Sequence, residues 1–223
     1  WVKKMPKKDA EKLALSITQE FPEQQFAWKV LGAVLKQMGR IGESLAASQK
    51  SVQLGPQDAE AHNNLGNTLH ELDRFSEAEA SYRQSITLKP DYAEAHGNLG
   101  NTLNELGRFA EAEASLKQAI ELKPDLALAH NNLGNTLQEL DRFLEAEVSY
   151  KQSITLKPDY AEAYYNMGVA HQDQGYFNDA VDAYKKAIAI QPDYTDAQNN
   201  LGTVFKDQGK LDDAIEAYKK VIS

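Results

Sequence analysis

The chain has 223 residues, with 33 acidic and 24 basic side chains and a formal net charge of -9. That balance disfavours a nucleic acid partner, because phosphate backbones are bound by basic surfaces. A membrane-spanning helix needs about 20 consecutive apolar residues, and no such run exists, so we expect a soluble protein with no membrane partner. The chain contains no cysteine, which excludes disulfides and thiolate metal sites within it. The sequence does not name a compartment, although an intracellular one is favoured.

Residues 1–24 are predicted to form an N-terminal half-repeat or capping helix. Ala10, Ala14 and Ile17 recur at helical spacing, and Pro22 ends the segment. The first residue is Trp1 rather than Met, so we expect the natural protein to begin further upstream.

From residue 25 onwards the sequence repeats with a period of 34 residues. The most regular markers are prolines and glycines, at Pro22, Pro56, Pro90, Pro124, Pro158 and Pro192, and at Gly32, Gly66, Gly100, Gly134, Gly168 and Gly202. The period defines five full repeats and one shorter one, 25–58, 59–92, 93–126, 127–160, 161–194 and 195–223. A regular repeat of this length indicates a solenoid, in which each repeat packs on its neighbours.

Each repeat is predicted to hold two helices. In 59–92, Leu65 and Leu69 lie on one side of the first helix, and polar residues occupy the opposite side. Asp73 suits the left-handed position that ends this helix, a place that glycine takes in other repeats. A second helix follows and ends before Pro90.

The order of small and aromatic residues resembles the tetratricopeptide repeat. The fifth repeat carries this pattern at Tyr164, Met167, Gly168, Ala180, Tyr184, Ala187 and Pro192, and the first carries it at Trp28, Leu31, Gly32, Leu35 and Pro56. The first repeat has Ser44, Ser48 and Ser51 where Ala, an aromatic residue and Ala are expected, so its second helix should be the least well packed. The resemblance covers about nine tenths of the chain. It implies an all-α fold, a right-handed α-solenoid of antiparallel helix pairs that forms a superhelix.

No catalytic or cofactor site is predicted. His62, His96 and His130 recur in register as a metal ladder would, but another repeat has Trp28 there, and rings on successive repeats are too far apart to share a zinc ion. We interpret them as packing residues. The paired acids are interpreted as solvated charges, at Glu77, Glu79, Glu111 and Glu113. Without a nucleophile, phosphate or metal motif, we expect no cofactor and no enzyme in this chain; a catalytic domain would lie outside it.

The polar side of the first helices carries rows of asparagines. In tetratricopeptide proteins that side lines a concave groove that binds extended peptides, so the resemblance implies a protein or peptide partner. The sixth residue is asparagine in five consecutive repeats, at Asn64, Asn98, Asn132, Asn166 and Asn200. A carboxamide can donate to and accept from any peptide backbone, and the row resembles the asparagine-lined superhelix of the O-linked N-acetylglucosamine transferases. We predict these five as peptide-binding, with secondary groove residues at Asn63, Asn67, Asn101, Asn131, Asn135, Asn199, Glu71, Glu105 and Glu139.

Recent duplication is the other explanation for these asparagines. Repeats 59–92 and 127–160 agree at 29 of 34 positions, so their asparagines can be copies without a function. The repeat 161–194 matches 127–160 at only 13 positions and still keeps Asn166, and the last repeat keeps Asn200. This survival favours a ligand role for the sixth position, with intramolecular hydrogen bonding as the alternative.

Acidic residues on the same side are expected to select the ligand. They form two rows, Glu60, Glu94, Glu162 and Asp196, and Glu71, Glu105, Glu139, Asp173 and Asp207. The carboxylate clamp of other tetratricopeptide proteins is incomplete, since Lys29 and Asn64 match it but Ala33, Glu94 and Asn98 do not. The groove should therefore repel acidic peptides and favour neutral or basic ones.

The predicted function is a protein interaction scaffold that binds an extended peptide or protein segment in its concave groove. The alternatives are the substrate-recruiting region of a larger, glycosyltransferase-like enzyme, and a self-assembling scaffold. The first rests on the similarity of the repeats to those of the glycosyltransferases. The second follows from the end of the chain, because Ser223 comes after a second helix with no polar capping helix, which solenoids generally need. We expect either a longer natural protein or self-association through this C-terminal end.

Overall fold

The computed structural model describes residues 6–222, and Trp1 and Ser223, which motivated the expectations about the chain ends, lie outside them. The described part consists of thirteen α-helices without a strand: α1 (Lys7–Glu20), α2 (Gln25–Gln37), α3 (Ile41–Leu54), α4 (Ala59–His70), α5 (Phe75–Leu88), α6 (Ala93–Glu105), α7 (Phe109–Leu122), α8 (Ala127–Glu139), α9 (Phe143–Leu156), α10 (Ala161–Asp173), α11 (Phe177–Ile190), α12 (Thr195–Asp207) and α13 (Leu211–Ile222). The even-numbered helices begin at the first residue of each predicted repeat. None of the described helices has the length and hydropathy that crossing a membrane requires.

The helices group into two compact bodies, an N-terminal body of residues 1–122 and a C-terminal body of residues 123–223. Within each body the two helices of a repeat pack on each other, and each first helix also contacts the next one, in the series α2, α4, α6 and in the series α8, α10, α12. Helix pairs joined by short turns are the arrangement that the 34-residue pattern predicts. The prediction of an all-α fold of antiparallel helix pairs is therefore confirmed.

The turn inside a helix pair uses a left-handed residue, as the sequence predicts. Asp73 has φ 56° and Asp141 has φ 58°, while Gly107 has φ 69° at the matching position. Aspartate tolerates this conformation better than most residues with a Cβ atom. The two aspartates therefore end α4 and α8 as glycine ends the corresponding helices elsewhere.

The two helices of a pair approach each other where an aromatic ring covers a glycine. A Cβ atom on Gly66 would lie 2.6 Å from the ring of Tyr82, and one on Gly134 would lie 2.4 Å from the ring of Tyr150. Tyr82 is fully buried, and its hydroxyl donates to Asn67 Oδ1 at 2.8 Å. Burial, and to a lesser extent the charge of Glu71, raises the pKa of this tyrosine.

In most repeats the side chain of the fourth residue hydrogen-bonds to the turn before its first helix. The rings of His62 and His96 each place Nε2 within hydrogen-bonding distance of the carbonyl oxygen of the proline six residues earlier, at 3.0 and 2.9 Å. Trp28 Nε1 donates to Pro22 O at 2.8 Å in the same way. Donors of different chemistry can therefore share this position, because each supplies one N–H to one carbonyl. The recurrence of histidine here reflects that local contact.

The first repeat buries three serines in its second helix, at Ser44, Ser48 and Ser51. Ser44 is fully buried and donates to Gly32 O at 2.8 Å, whereas the buried hydroxyl of Ser51 has no hydrogen-bond partner. In later repeats Ser85 donates to Ala59 O at 2.7 Å and Ser153 donates to Ala127 O at 2.8 Å. The unpaired hydroxyl distinguishes α3 from α5 and α9. That α3 is the least well packed second helix stays a prediction.

The acids interpreted above as solvated charges also form ion pairs, and two of them, Glu77 and Glu111, remain more than half exposed. Glu77 Oε2 lies 2.7 Å from Arg74 Nη2, and Glu113 Oε1 lies 2.7 Å from Lys117 Nζ. The side chain of Glu79 is only 16% exposed and contacts Arg83 of its own helix and Arg108 of the following repeat. Arginine and lysine side chains one helical turn away can reach these acids. The sequence analysis considered only the spacing between one acid and the next, so it did not predict these pairs.

Candidate functional site

The candidate site is the first-helix face, the polar side of the first helices within each body. It comprises repeat positions 2, 5, 6, 9, 12 and 13. In the N-terminal body it runs over α2, α4 and α6, and in the C-terminal body over α8, α10 and α12. All the predicted site residues from Asn63 to Asn200 belong to one of these two faces.

The sixth-position asparagine of the N-terminal body is held by the preceding repeat. Asn98 is half-buried, and its Nδ2 donates to Asn63 Oδ1 and to Asn67 Oδ1, both at 3.0 Å. Asn63 is only 5% exposed, although the helical pattern placed it on the polar side. The neighbouring first helix covers it, so the amide group of Asn63 faces another protein group and is not open to solvent.

The C-terminal body repeats this arrangement. Asn166 Nδ2 donates to Asn131 Oδ1 at 3.2 Å, and the fully buried Asn131 donates from its own Nδ2 to Glu162 Oε1 at 3.4 Å. Asn200 Nδ2 donates to the hydroxyl of Tyr165 at 3.3 Å. In both bodies the sixth-position amide therefore reaches the fifth residue of the repeat before it.

The two remaining sixth-position residues differ from these three. Asn64 is half-buried, and its side chain forms no hydrogen bond with any other described residue. Asn132 is buried, with 5% of its surface exposed, and has a partner within the protein. The five residues predicted as one equivalent set are thus not equivalent in exposure or in hydrogen bonding.

Two of the ninth-position asparagines, Asn67 and Asn135, accept a hydrogen bond within their own helix pair. Tyr150 donates from its hydroxyl to Asn135 Oδ1 at 2.9 Å, which matches the contact between Tyr82 and Asn67. The repeat 93–126 has Leu116 instead of tyrosine, and its Asn101 Nδ2 lies 3.1 Å from His70 Nε2. Asn199, another of the secondary residues, is half-buried at the fifth position.

Exposed carboxylates accompany the amides in both bodies. The predicted acidic residues are all exposed, namely Glu60, Glu71, Glu94, Glu105, Glu139, Glu162, Asp173, Asp196 and Asp207. In the N-terminal body two lysines pair with part of this charge, since Lys36 Nζ lies 2.9 Å from Glu71 and Lys29 Nζ lies 2.7 Å from Glu60 and 3.0 Å from Asp58. Burial opposes protonation of Lys29, but the hydrogen bonds to Glu60 and Asp58 outweigh it and raise its pKa. Lys29 is therefore engaged with carboxylates of its own chain.

Three tyrosines on the C-terminal body were not anticipated. The ring centroid of Tyr165 lies 5.1 Å from that of Tyr194 and 5.9 Å from that of Tyr184. Burial and the nearby charges of Glu162, Tyr165 and Asp196 raise the pKa of Tyr194 to about 12. Tyr165 takes the fifth position, where three other repeats have asparagine, and this substitution was the available sequence signal. The pairing with Tyr194 is visible only in the packed structure.

The geometry of paired helices agrees with the sequence families that match the chain. Models described as tetratricopeptide repeat match residues 59–92, 81–114, 125–193 and 159–223, and a further TPR repeat model matches residues 100–141. Together these matches run without a gap from residue 59 to the end of the chain. The chain belongs to the tetratricopeptide repeat family.

Solved structures show the same tetratricopeptide fold. The Cut9–Hcn1 hetero-tetramer of the APC/C superposes with a TM-score of 0.87 over 97% of this chain, at 18% identity, and the chain spans 43% of the length of that chain. MamA matches with a TM-score of 0.63 and 28% identity over 71% of this chain and 92% of its own. YrrB, a TPR protein with an unusual peptide-binding site, matches with a TM-score of 0.62 and 23% identity over 84% of this chain and 97% of its own. No curated protein sequence matches the chain.

Proposed function

We propose that this tetratricopeptide repeat chain is a protein interaction scaffold that binds an extended peptide segment along its first-helix face. The observation that supports it is the row of amides and carboxylates at the same positions of successive first helices within each body. A face of this kind offers hydrogen bonds at regular intervals, as a peptide backbone does. Binding to such a face needs no enzyme chemistry.

The sixth-position asparagines would act as acceptors. The Nδ2 groups of Asn98 and Asn166 are already used within the chain, and no side chain of the described residues donates to their Oδ1 atoms. The free Oδ1 can accept a backbone N–H of the ligand. Neither the Nδ2 donor nor the Oδ1 acceptor of Asn64 is used within the described residues. Its side chain can therefore bind both an N–H and a carbonyl group of the ligand backbone.

The exposed acids would select the ligand. Asp196 forms no ion pair with another described residue, and Glu105 and Asp207 are likewise without one. A basic peptide brings cations toward these carboxylates, whereas an acidic peptide brings like charges together. Neutral or basic segments are therefore the proposed ligands.

The test compares fluorescent peptides of Gly, Ser and Lys with matched peptides that have Glu instead of Lys. We expect the lysine peptide to bind and the glutamate peptide not to bind. Asn64→Ala should weaken binding and leave thermal unfolding unchanged, because its side chain makes no hydrogen bond inside the described chain. Asn98→Ala should weaken binding and also lower stability.

The matched control is Gln84→Ala, which removes an exposed amide from the second helix α5. This variant should leave peptide affinity unchanged. Equal binding by the parent, Asn64→Ala and Asn98→Ala proteins would show that the asparagines serve only the fold. Tight binding of the glutamate peptide would refute the charge preference.

A further inference from the structure

The second-helix side of the N-terminal body contains a guanidinium held by two carboxylates. Arg108, on the turn before α7, places Nη1 2.7 Å from Glu79 Oε1 and Nη2 2.6 Å from Glu111 Oε2. Glu111 lies on α7 itself, and Glu79 lies on α5 of the preceding repeat. Charge-assisted hydrogen bonds of this forked kind are stronger than neutral ones. The arginine thus spans the space between two successive second helices.

The arginine and the two acids of this arrangement occupy fixed positions of the repeat. The arginine occupies position 16, one acid occupies position 19 of the same repeat, and the other occupies position 21 of the repeat before. Arg40 repeats the arrangement with Glu43 and Glu11. Within the N-terminal body, the arginine is therefore present wherever both acids are.

The repeat 161–194 keeps both acids and lacks the arginine. Glu147 occupies position 21 of the preceding repeat and Asp179 occupies position 19, but position 16 is Tyr176. Asp179 forms no ion pair with any described residue. The C-terminal body therefore presents the two carboxylate positions without the arginine that joins them in the N-terminal body.

An open cavity of about 420 Å³ lies at this place, between α9, α10 and α11. Its lining includes Glu147, Asp179, Tyr176 and His171. His171 is 7% exposed, its buried Nδ1 has no hydrogen-bond partner, and its ring centroid lies 6.4 Å from that of Tyr176. The position of His171 is leucine in the four preceding repeats, and the position of Tyr176 is arginine in them. The buried imidazole and the aromatic ring are therefore specific to this repeat.

The lysines around the cavity do not replace the missing arginine. Lys151 Nζ contacts Glu147 Oε1 at 2.5 Å, and the equivalent Arg83 contacts Glu79 at 2.9 Å while Arg108 also binds that glutamate. Glu79 therefore binds a basic residue of its own helix and a second cation at the same time. By the same geometry, the contact with Lys151 leaves Glu147 able to bind a second cation. Lys186 also lines the cavity and forms no ion pair with a described residue.

We propose that this cavity binds an arginine side chain of a protein partner. The guanidinium would pair with Glu147 and Asp179, as Arg108 pairs with Glu79 and Glu111 in the N-terminal body. Its planar face would stack on the ring of Tyr176, an arrangement that arginine favours over lysine. The two acids lie on the second helices α9 and α11, and none of the residues that line the cavity belongs to the first-helix face proposed above.

The test uses N-acetyl-arginine amide as the probe and follows the His171 imidazole and Tyr176 ring signals by NMR. We expect saturable shifts of both signals, and binding weaker by about tenfold for N-acetyl-lysine amide, which cannot form the forked pair. Asp179→Asn should weaken binding of the arginine probe by about tenfold. Asp193→Asn, which removes an exposed charge from the turn after α11, should not.

A second variant restores the internal residue. Tyr176→Arg supplies the guanidinium that the other repeats have, so it should abolish probe binding without lowering the unfolding temperature. Its probe shifts would be read at His171. The absence of saturable shifts in the parent protein would overturn the proposal. Unchanged probe affinity in Asp179→Asn would overturn it as well, whether or not the Tyr176→Arg protein folds.

Discussion

At the scale of single residues, repeat position decides what an asparagine does. Asn98 and Asn166, at position 6, donate to the repeat before them, while Asn67 and Asn135, at position 9, accept from a tyrosine of their own repeat. A half-buried amide needs hydrogen-bond partners, and these neighbours are the groups within reach. The persistence of asparagine at position 6 in diverged repeats therefore has a structural cause in addition to any role in binding.

The serines at position 27 give a test of one hydrogen bond at a time. Ser85→Ala removes a hydroxyl that donates to Ala59 O and should lower the free energy of unfolding by about 1 kcal/mol. Ser51→Ala removes a buried hydroxyl without a partner and should raise it by about 1 kcal/mol. Urea unfolding followed by circular dichroism measures both changes.

The control for the serine comparison is present in the chain itself. Ala119 and Ala187 occupy the same position and are fully buried, so alanine fits this site without distortion. A loss of stability in Ser51→Ala as large as that in Ser85→Ala would show that the Ser51 hydroxyl has a partner in solution.

At the scale of the helix pair, contact between a glycine and a ring sets how closely the two helices approach. The ring of Tyr82 lies over Gly66, and the side chain of Leu116 lies over Gly100, with only 2.5 Å to an added Cβ atom. An aromatic ring and an aliphatic side chain can both fill this space because the glycine leaves it empty. The contact therefore depends on the absence of a Cβ atom more than on the chemistry of the opposing residue.

Gly66→Ala is expected to open the α4–α5 pair. The new methyl group would lie 2.6 Å from the buried Tyr82 ring, so the free energy of unfolding should fall by about 1–3 kcal/mol. Gly97→Ala is the matched control, because its nearest neighbour would be Ala119 Cβ at 3.8 Å. That change should raise stability by up to about 1 kcal/mol through helix propensity. Thermal and urea unfolding would contradict this account if the two substitutions had the same effect.

Successive second helices are joined by ion pairs that depend on pH. Burial disfavours the charged form of Glu79, but the hydrogen bonds from Arg83 and Arg108 outweigh it, so its pKa is lowered. A carboxylate with a lowered pKa in the folded state stabilises the protein above its unfolded value near 4.5, and this contribution is lost as the pH falls through the folded pKa. The link between α5 and α7 should therefore weaken only in acid.

Arg108→Gln tests that link. The variant should melt at a lower temperature than the parent protein at pH 7, and the difference should disappear as the pH falls through the lowered pKa of Glu79. Arg74→Gln is the control, because Arg74 pairs with Glu77 of α5, the helix that directly follows it, and does not join two second helices. A difference for Arg108→Gln that persisted unchanged in acid would contradict an electrostatic origin.

At the scale of the whole molecule, the net negative charge makes the proposed preference for basic peptides sensitive to salt, which can be measured. The chain carries a formal net charge of -9, and exposed acids lie on the first-helix faces of both bodies. Surface charges are screened over about 8 Å at physiological ionic strength. Attraction between this surface and a basic peptide should therefore decline as salt is added.

Binding of the lysine peptide should weaken by about tenfold or more between low and high salt. An uncharged Gly and Ser peptide should show little change over the same range, because its contacts are hydrogen bonds. Fluorescence anisotropy at several salt concentrations measures both. Equal salt dependence of the two peptides would show that the acids do not select the ligand.

The sequence alone determined the helix pairs. The positions of Pro56, Gly66 and Asp73 recur with the period of the fold, and each acts through its own backbone or the helix beside it. Local conformational preference and the burial of one helix side are properties that short stretches of sequence carry. For that reason the paired all-α architecture and the left-handed turn residues could be predicted.

Only the tertiary structure decided which polar residues are free. Asn63 and Asn64 are neighbours in sequence and both polar, yet Asn63 is covered by the next first helix and Asn64 is not paired. The cavity beside Tyr176 likewise depends on acids from two repeats coming together without the arginine that joins their counterparts. Helical periodicity describes one helix at a time, whereas exposure and hydrogen bonding at these places depend on the side chains that a neighbouring repeat brings against it.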